Sequence, residues 1–291
     1  MYNYITGQET YQFVVDTYKY RFFIALYTRL ILLLRKKKMI LIFGMSRSGT
    51  SMLAKFLALG KSSLYIHEPD SELLRKHFGE KRFFTQEAFW DFVNAETQKE
   101  FKVHMLTCIL LRSALKSNEA IRTIVIKPIA LLEIMPEISR TVGRGVRMVY
   151  ISRHPAGRTD SILRQLKHDQ DIDSISLDQV EDLGRDWGRT NRKVQDWFGK
   201  RSDWHWVQFE ALSNNPLAEF KKLYDKFGLD WEEKVQAEIQ QKTTGGDGGF
   251  YDVQRDASKQ ADKWREALTA EQVEAIRRGC LPFGTNLYEG F

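Results

Sequence analysis

Short apolar runs alternate along this chain with longer stretches of helical spacing. Residues 39–43 (MILIF) form an uninterrupted apolar run, the pattern of a strand buried on both faces. Met52, Leu53, Phe56 and Leu57 then recur at helical spacing and predict a helix over 50–59. Residues 63–66, 123–126, 146–151 and 204–209 are further strand candidates. Helical periodicity covers 87–117, through Phe89, Phe92, Val93, Phe101, Met105, Ile109 and Leu110, a region expected to cover the sheet. Further helices are predicted over about 216–227, 231–241 and 270–278, and one long helix over 10–34. Strands that alternate with helices predict an α/β fold with a central parallel sheet. With no internal repeat and no linker, the expected organisation is an N-terminal helical extension, 1–38, followed by one domain, 39–291.

The candidate chemistry gathers where the predicted strands end. Between the first strand and its helix lies Gly44-Met45-Ser46-Arg47-Ser48-Gly49-Thr50-Ser51. A strand-to-helix loop offers successive backbone N–H groups and the positive end of a helix dipole, and its glycines let a polyphosphate approach the backbone. The glycine spacing is that of the nucleotide-binding P-loop, but Thr50 replaces the lysine that reaches the β- and γ-phosphates. Arg47 returns a positive charge inside the loop, where a guanidinium can fork onto phosphate or sulfate oxygens, and Ser48, Thr50 and Ser51 add hydroxyl donors.

Other candidate strands end on His67-Glu68-Pro69, Lys127-Pro128 and Ser152-Arg153-His154-Pro155. Ligands of open α/β sheets bind at such carboxyl ends. Pro155 suits the first turn of a helix, and on that helix Ser161 lies eight positions after Arg153, so the pair can clasp one phosphate group.

Composition narrows the partners. The net charge of +6, from 44 Lys and Arg against 38 Asp and Glu, is too small and too dispersed to argue for nucleic acid, and an anionic cofactor or acidic acceptor explains it as well. The two cysteines, Cys108 and Cys280, have no metal-ligand spacing around them and favour a reducing, cytoplasmic compartment; the six histidines are scattered, and no metal site is expected. Residues 22–34 are almost wholly apolar and run into Arg35-Lys36-Lys37-Lys38, yet are too short to span a bilayer and lack the marks of a secretory signal. Two readings of 10–38 stand open. The helix packs on the domain, or it makes peripheral membrane contact with the basic run meeting anionic lipid.

The segment Arg47-Ser48-Gly49-Thr50-Ser51 after a strand resembles the 5′-phosphosulfate loop of the sulfotransferases that use 3′-phosphoadenosine 5′-phosphosulfate (PAPS). Arg153 with Ser161 is similar to the Arg and Ser with which that family binds the 3′-phosphate. Phe209-Glu210-Ala211-Leu212, Pro216 and Phe227-Gly228-Leu229 resemble the family's Tyr-Glu-x-Leu segment, its Pro-led helix and its Phe-Leu-Gly ending, with Phe209 where tyrosine is common. Lys263-Trp264-Arg265 resembles the C-terminal loop that closes over the cofactor. These matches run in the family's order from about 39 to 268. The arginine loop and the glutamate of the next segment look more like the carbohydrate and tyrosylprotein sulfotransferases than like the cytosolic small-molecule ones.

The resemblance implies a P-loop-like three-layer sandwich and transfer of a sulfuryl group from PAPS to a hydroxyl or amine of a small-molecule or glycan acceptor, without metal. Such transfer needs position, a base and cations. Glu68 is the expected base, with His67 beside it able to do the same work. Lys127 is expected to stabilise the leaving group, and Arg47 the phosphosulfate. Two other classes compete. A P-loop kinase or NTPase would show a loop lysine and a strand-end aspartate for magnesium, and a non-catalytic nucleotide-binding protein would share the cofactor motifs.

Overall fold

The computed structural model describes residues 7–79, 98–170, 175–244 and 257–291. Five strands, β1 (Lys38–Gly44), β2 (Ser63–His67), β3 (Thr123–Lys127), β4 (Val146–Ser152) and β5 (His205–Gln208), form one parallel sheet in the order β2-β3-β1-β4-β5. Register is fixed where apolar runs lie side by side. Lys38 to Leu41 of β1 pair with Thr123 to Ile126 of β3, and Ser63 to His67 of β2 pair with Thr123 to Lys127. Every residue of β3 is buried, as expected of a strand covered on both faces.

The chain divides into two compact units, Met1–Phe43 with Leu53–Val149, and Gly44–Met52 with Tyr150–Phe291. The first unit carries α1 (Gln8–Thr17) and α2 (Arg21–Leu34). The helix α3 (Thr50–Leu57) begins in the second unit and continues in the first. The first unit also holds α4 (Pro69–Phe78), α5 (Lys99–Lys116) and α6 (Met135–Val142). Residues 87–97 of the helical region expected over 87–117 lie outside the described residues. The single helix expected over 10–34 is broken by a tight turn at Tyr18–Tyr20. Thr17 Oγ1 donates to Phe13 O at 2.5 Å and so competes with the backbone ladder, while the Tyr18 ring packs against Phe101 and His104.

The second unit holds α7 (Pro155–Gln170), α8 (Leu177–Phe198), α9 (Phe209–Asn214), α10 (Pro216–Phe227), α11 (Glu233–Thr244), α12 (Ala257–Asp262), α13 (Trp264–Ala267) and α14 (Ala270–Cys280). The strand expected over 204–209 ends at Gln208, and Phe209 opens a helix. Residues 245–249, whose Gly-Gly-Asp-Gly-Gly sequence is expected to form a loop, lie outside the described residues. Apolar periodicity offers no element over 177–198, yet α8 runs there for 22 residues and starts from a capping box between Ser176 and Gln179. Its buried stripe is Val180, Gly184, Trp187, Gly188, Asn191 and Val194, too mixed in polarity to stand out as a hydrophobic face. The glycines let α14 come close. A Cβ on Gly184 would lie 3.0 Å from Ile276 C and Cα, with Ile276 O nearer still.

Candidate active site

In the second unit the loop after β1 turns sharply before α3. Gly49 sits at φ +89, a region L side chains rarely adopt, and a Cβ there would meet Phe209 Cδ2 at 2.5 Å, so only glycine fits. Arg47 holds a left-handed backbone, φ 66, which costs a non-glycine residue roughly 1–2 kcal/mol. Ser48 and Thr50 are buried, and Ser51 is half-buried. Ser48 N–H donates to Met45 O at 3.2 Å and closes the turn.

The loop and the helix after β4 meet. Arg47 Nε donates to Ser161 Oγ at 3.0 Å, across 114 positions of sequence. Arg153 Nη1 donates to Arg47 O at 3.1 Å and Nη2 to Gln260 O at 3.0 Å, and its guanidinium lies 4.4 Å from the centre of the Phe209 ring. Arg153 Nε is buried without a partner. Burial pushes Arg153 down to about 10, opposed by Glu210, so the guanidinium keeps its charge at neutral pH. Thus Arg47 and the distant pair of Arg153 and Ser161 form one cluster. Phe209 completes it with a ring face where a tyrosine would offer a hydroxyl.

Neighbouring groups hold this cluster in place. Trp187 Nε1 donates to Arg153 O at 2.9 Å. Glu210 accepts from the His154 N–H at 2.8 Å and from the Tyr288 hydroxyl at 2.7 Å, which ties the end of β4 to the helix after β5. Burial pushes His154 down to about 4, and the neutral ring stacks on Trp264 at 4.6 Å, accepting from Ala156 N–H at Nδ1. Lys263 lies exposed between α12 and α13, and its ammonium has no hydrogen bond or ion pair among the described residues.

Arg158 belongs to the cluster and is not legible in the sequence. Buried on α7, it donates from Nε to Ser46 O at 3.2 Å and pairs through Nη2 with Asp186 at 3.2 Å. Its Nη1 is buried without a partner. Nothing in its spacing separates it from a solvated helix arginine. Two buried guanidinium donors without partners, beside a loop of backbone amides and hydroxyls, fit an anion with several charged oxygens.

The first unit gathers the remaining candidates at the ends of β2 and β3. His67 pairs in register with Lys127, Glu68 N–H donates to Lys127 O at 2.7 Å, and Lys127 Nζ forms an ion pair with Glu68 Oε1. Glu68 takes a left-handed conformation, φ 44, as the residue before α4. Pro69 both stops β2 and starts α4, so the chain must turn at Glu68. His67 Nε2 stands 3.7 Å from Glu68 Oε1, and its Nδ1 lies 2.8 Å from the Tyr65 hydroxyl. Partial burial pushes His67 down, with Glu68 pulling the other way.

Asp70, fully buried, is a further residue that sequence reading missed. Its carboxylate accepts from the backbone of Ile129, at 3.1 and 3.0 Å, and of Ala130, at 2.9 Å, which fixes the chain just beyond Lys127. Burial raises it to about 6 against these hydrogen bonds. Among the described residues no group of three or more His, Cys, Asp or Glu side chains could hold a metal ion.

This combination of a parallel sheet, a glycine-bearing loop without the P-loop lysine, and arginines gathered around it fits the class of α/β proteins that bind polyanionic ligands at a strand-to-helix loop. The sequence matches the profile of the sulfotransferase family over residues 39–233, and the chain belongs to that family, whose enzymes take the sulfuryl group from PAPS. No curated protein matches the sequence. Among solved structures, the sulfotransferase STF1 from Mycobacterium tuberculosis H37Rv is 14% identical over 96% of this chain and 93% of its own, with a TM-score of 0.51, and shares the fold. A sulfotransferase domain from the curacin biosynthetic pathway is 18% identical over 82% of this chain and 96% of its own (TM-score 0.48). Mouse sulfotransferase SULT7A1, solved with PAP, is 12% identical over 84% and 83% (TM-score 0.47).

Proposed function

We propose that this sulfotransferase moves the sulfuryl group of PAPS to an acceptor hydroxyl, with Glu68 as general base. The contact of Arg47 with Ser161, beside the buried and incompletely paired Arg153, carries the cofactor half of this reading. Arg47 and the amides and hydroxyls of Ser48, Gly49, Thr50 and Ser51 receive the 5′-phosphosulfate, while Arg153 and Ser161 receive the 3′-phosphate. Lys263, exposed as it stands and beyond residue 233 where the family match ends, is assigned to the cofactor by the resemblance of Lys263-Trp264-Arg265 to the loop that closes over it.

In the transfer, the acceptor oxygen forms a bond to sulfur as the bond from sulfur to the phosphate oxygen breaks. The hydroxyl proton passes to the Glu68 carboxylate, and Lys127 meets the charge left on the departing phosphate oxygen. The Glu68–Lys127 ion pair supports this assignment, since it holds a carboxylate and a cation together at adjacent strand ends. His67, pushed toward its neutral form, orients Glu68 or stands in as the base. An arginine loop with a glutamate base makes carbohydrate hydroxyls the first acceptor class to examine. Incubation with radiolabelled PAPS and pooled sugars, phenols, amines and aliphatic alcohols, followed by mass analysis, tests the reading. Labelled sugar supports it. Label on amines alone, or none with any acceptor while PAP still binds, refutes the proposed hydroxyl transfer.

A further inference from the structure

Helix α2 has two faces of opposite character. Thr28, Ile31 and Leu32 are buried, Leu32 coming against Gly145, and Arg29 holds the end of α6 through the carbonyls of Arg140 and Thr141. The other face is apolar and open. Phe22 (75% exposed), Phe23 (68%), Leu26, Tyr27, Leu30, Leu33 (70%) and Leu34 lie in solvent on a helix of 14 residues. Helical spacing sets these seven side chains within one continuous stripe. Leaving so much apolar surface in water is costly unless something covers it.

The charges around the stripe say what does. Residues 18–38 contain no Asp or Glu, and Lys19, Arg21, Arg29, Arg35, Lys36 and Lys38 are all exposed. Arg21 pairs with Glu100, and Arg29 is engaged on α6, but Arg35, Lys36 and Lys38 follow directly on the last turn of the stripe. Tyr20 and Tyr27 are also exposed, amphipathic rings of the kind that settle at a membrane–water boundary. A second copy of the chain fits less well, because an isologous contact would set the basic run of Arg35, Lys36 and Lys38 at the end of the stripe near its own copy, with only Glu100 and Glu137, among the described residues along the α2 groove, to offset like charge. An anionic lipid surface satisfies both halves, apolar stripe and basic rim.

We propose that α2 docks this sulfotransferase on an anionic membrane surface, lying in the interface plane. At 1.5 Å per residue its 14 residues reach about 21 Å, short of the roughly 30 Å hydrocarbon core. No described helix is long and apolar enough to cross a membrane. The packed face of α2 stays on α5 and α6 while the open face meets lipid, so docking needs no unfolding.

Sedimentation of the full chain with vesicles tests this. Vesicles of phosphatidylcholine with phosphatidylserine should pellet the protein, and phosphatidylcholine alone much less. Rising salt should weaken the binding without abolishing it, because the apolar stripe is not screened. Leu26→Glu with Leu30→Glu, both exposed, should leave the fold and PAP affinity intact and lower partitioning by roughly tenfold or more. Arg35→Ser with Lys36→Ser should remove most of the preference for phosphatidylserine. Failure of the wild-type chain to pellet with either vesicle overturns the proposal, as does equal binding by the Leu26→Glu, Leu30→Glu variant. Dimerisation in the ultracentrifuge that the same variant abolishes, without vesicle binding, assigns the face to a second copy instead.

Discussion

Replacing Gly184 by Ala sets two physical arguments against each other. In a helix interior alanine is favoured over glycine by about 1 kcal/mol, so by propensity the variant should be more stable. The crossing of α8 with α14 argues the reverse. The new Cβ would meet Ile276 O, C and Cα, all backbone, so no side chain can rotate out of the way. Opposite it, a Cβ on Gly279 would lie 2.6 Å from Arg185 N and 3.0 Å from Gly184 C, which shows that the two backbones are in contact. Overpacking of this kind costs about 1–3 kcal/mol, occasionally more. Subtracting the propensity gain leaves a loss of about 0–2 kcal/mol, toward the upper end because every atom the Cβ meets is backbone. The movement reaches the arginine cluster proposed to hold the cofactor, since α8 also supplies Trp187 to Arg153 O and Asp186 to Arg158. Urea unfolding followed by circular dichroism reads the stability, and PAP titration reads the cluster. Gly199→Ala is the control, because its Cβ would rest in ordinary contact, 3.6 Å from Gln195 O. It should be neutral or slightly stabilising. If Gly184→Ala proves as stable as the wild-type chain or more so, the close crossing of α8 and α14 is wrong.

Glu68→Gln should cut turnover by roughly 10²–10⁴-fold with PAP affinity nearly unchanged, and His67→Ala should do much less; near-normal turnover in the first with abolition in the second reverses the assignment. Arg153→Ala should weaken PAP binding by about 1.5–3 kcal/mol while leaving AMP binding almost unaltered, which calorimetry reads; equal losses for both ligands would remove the 3′-phosphate from its role. Activity should survive a chelator, and loss restored only by magnesium would point to nucleotide hydrolysis chemistry. Asp70, raised from 3.8 to about 6, binds its proton more tightly folded than unfolded, so its contribution to stability is full below pH 3.8 and declines as pH rises through 6. Asp70→Asn should flatten the stability profile between those values, and an unaltered slope in urea melts across that window would contradict the assignment.

The strands β1 to β4 are legible in the sequence to within a residue or so: β1, β3 and β4 because a strand buried on both faces must be a continuous apolar run, the half-exposed edge strand β2 because its short run is cut off by Pro69, and each stops at a proline or a polar turn. For the same reason Arg47, Glu68, Lys127 and Arg153 stand out, as charges set where such runs end. Ser161 is legible through its spacing from Arg153 on a helix that Pro155 begins. Local pattern goes no further. Which strand lies beside which, and so why Glu68 pairs with Lys127, follows from the alignment of β2 on β3. The reach of Arg47 to Ser161 spans 114 positions and depends on packing that no window of sequence contains. The left-handed turn at Glu68, the buried Arg158 and the long α8 were decided in the same way. A glycine, a tryptophan and an asparagine make a buried stripe only when a second helix is close enough to need them. Hydrophobic periodicity is a property of one element and its solvent. The meaning of a polar or small residue on that element is set by the neighbour it packs against.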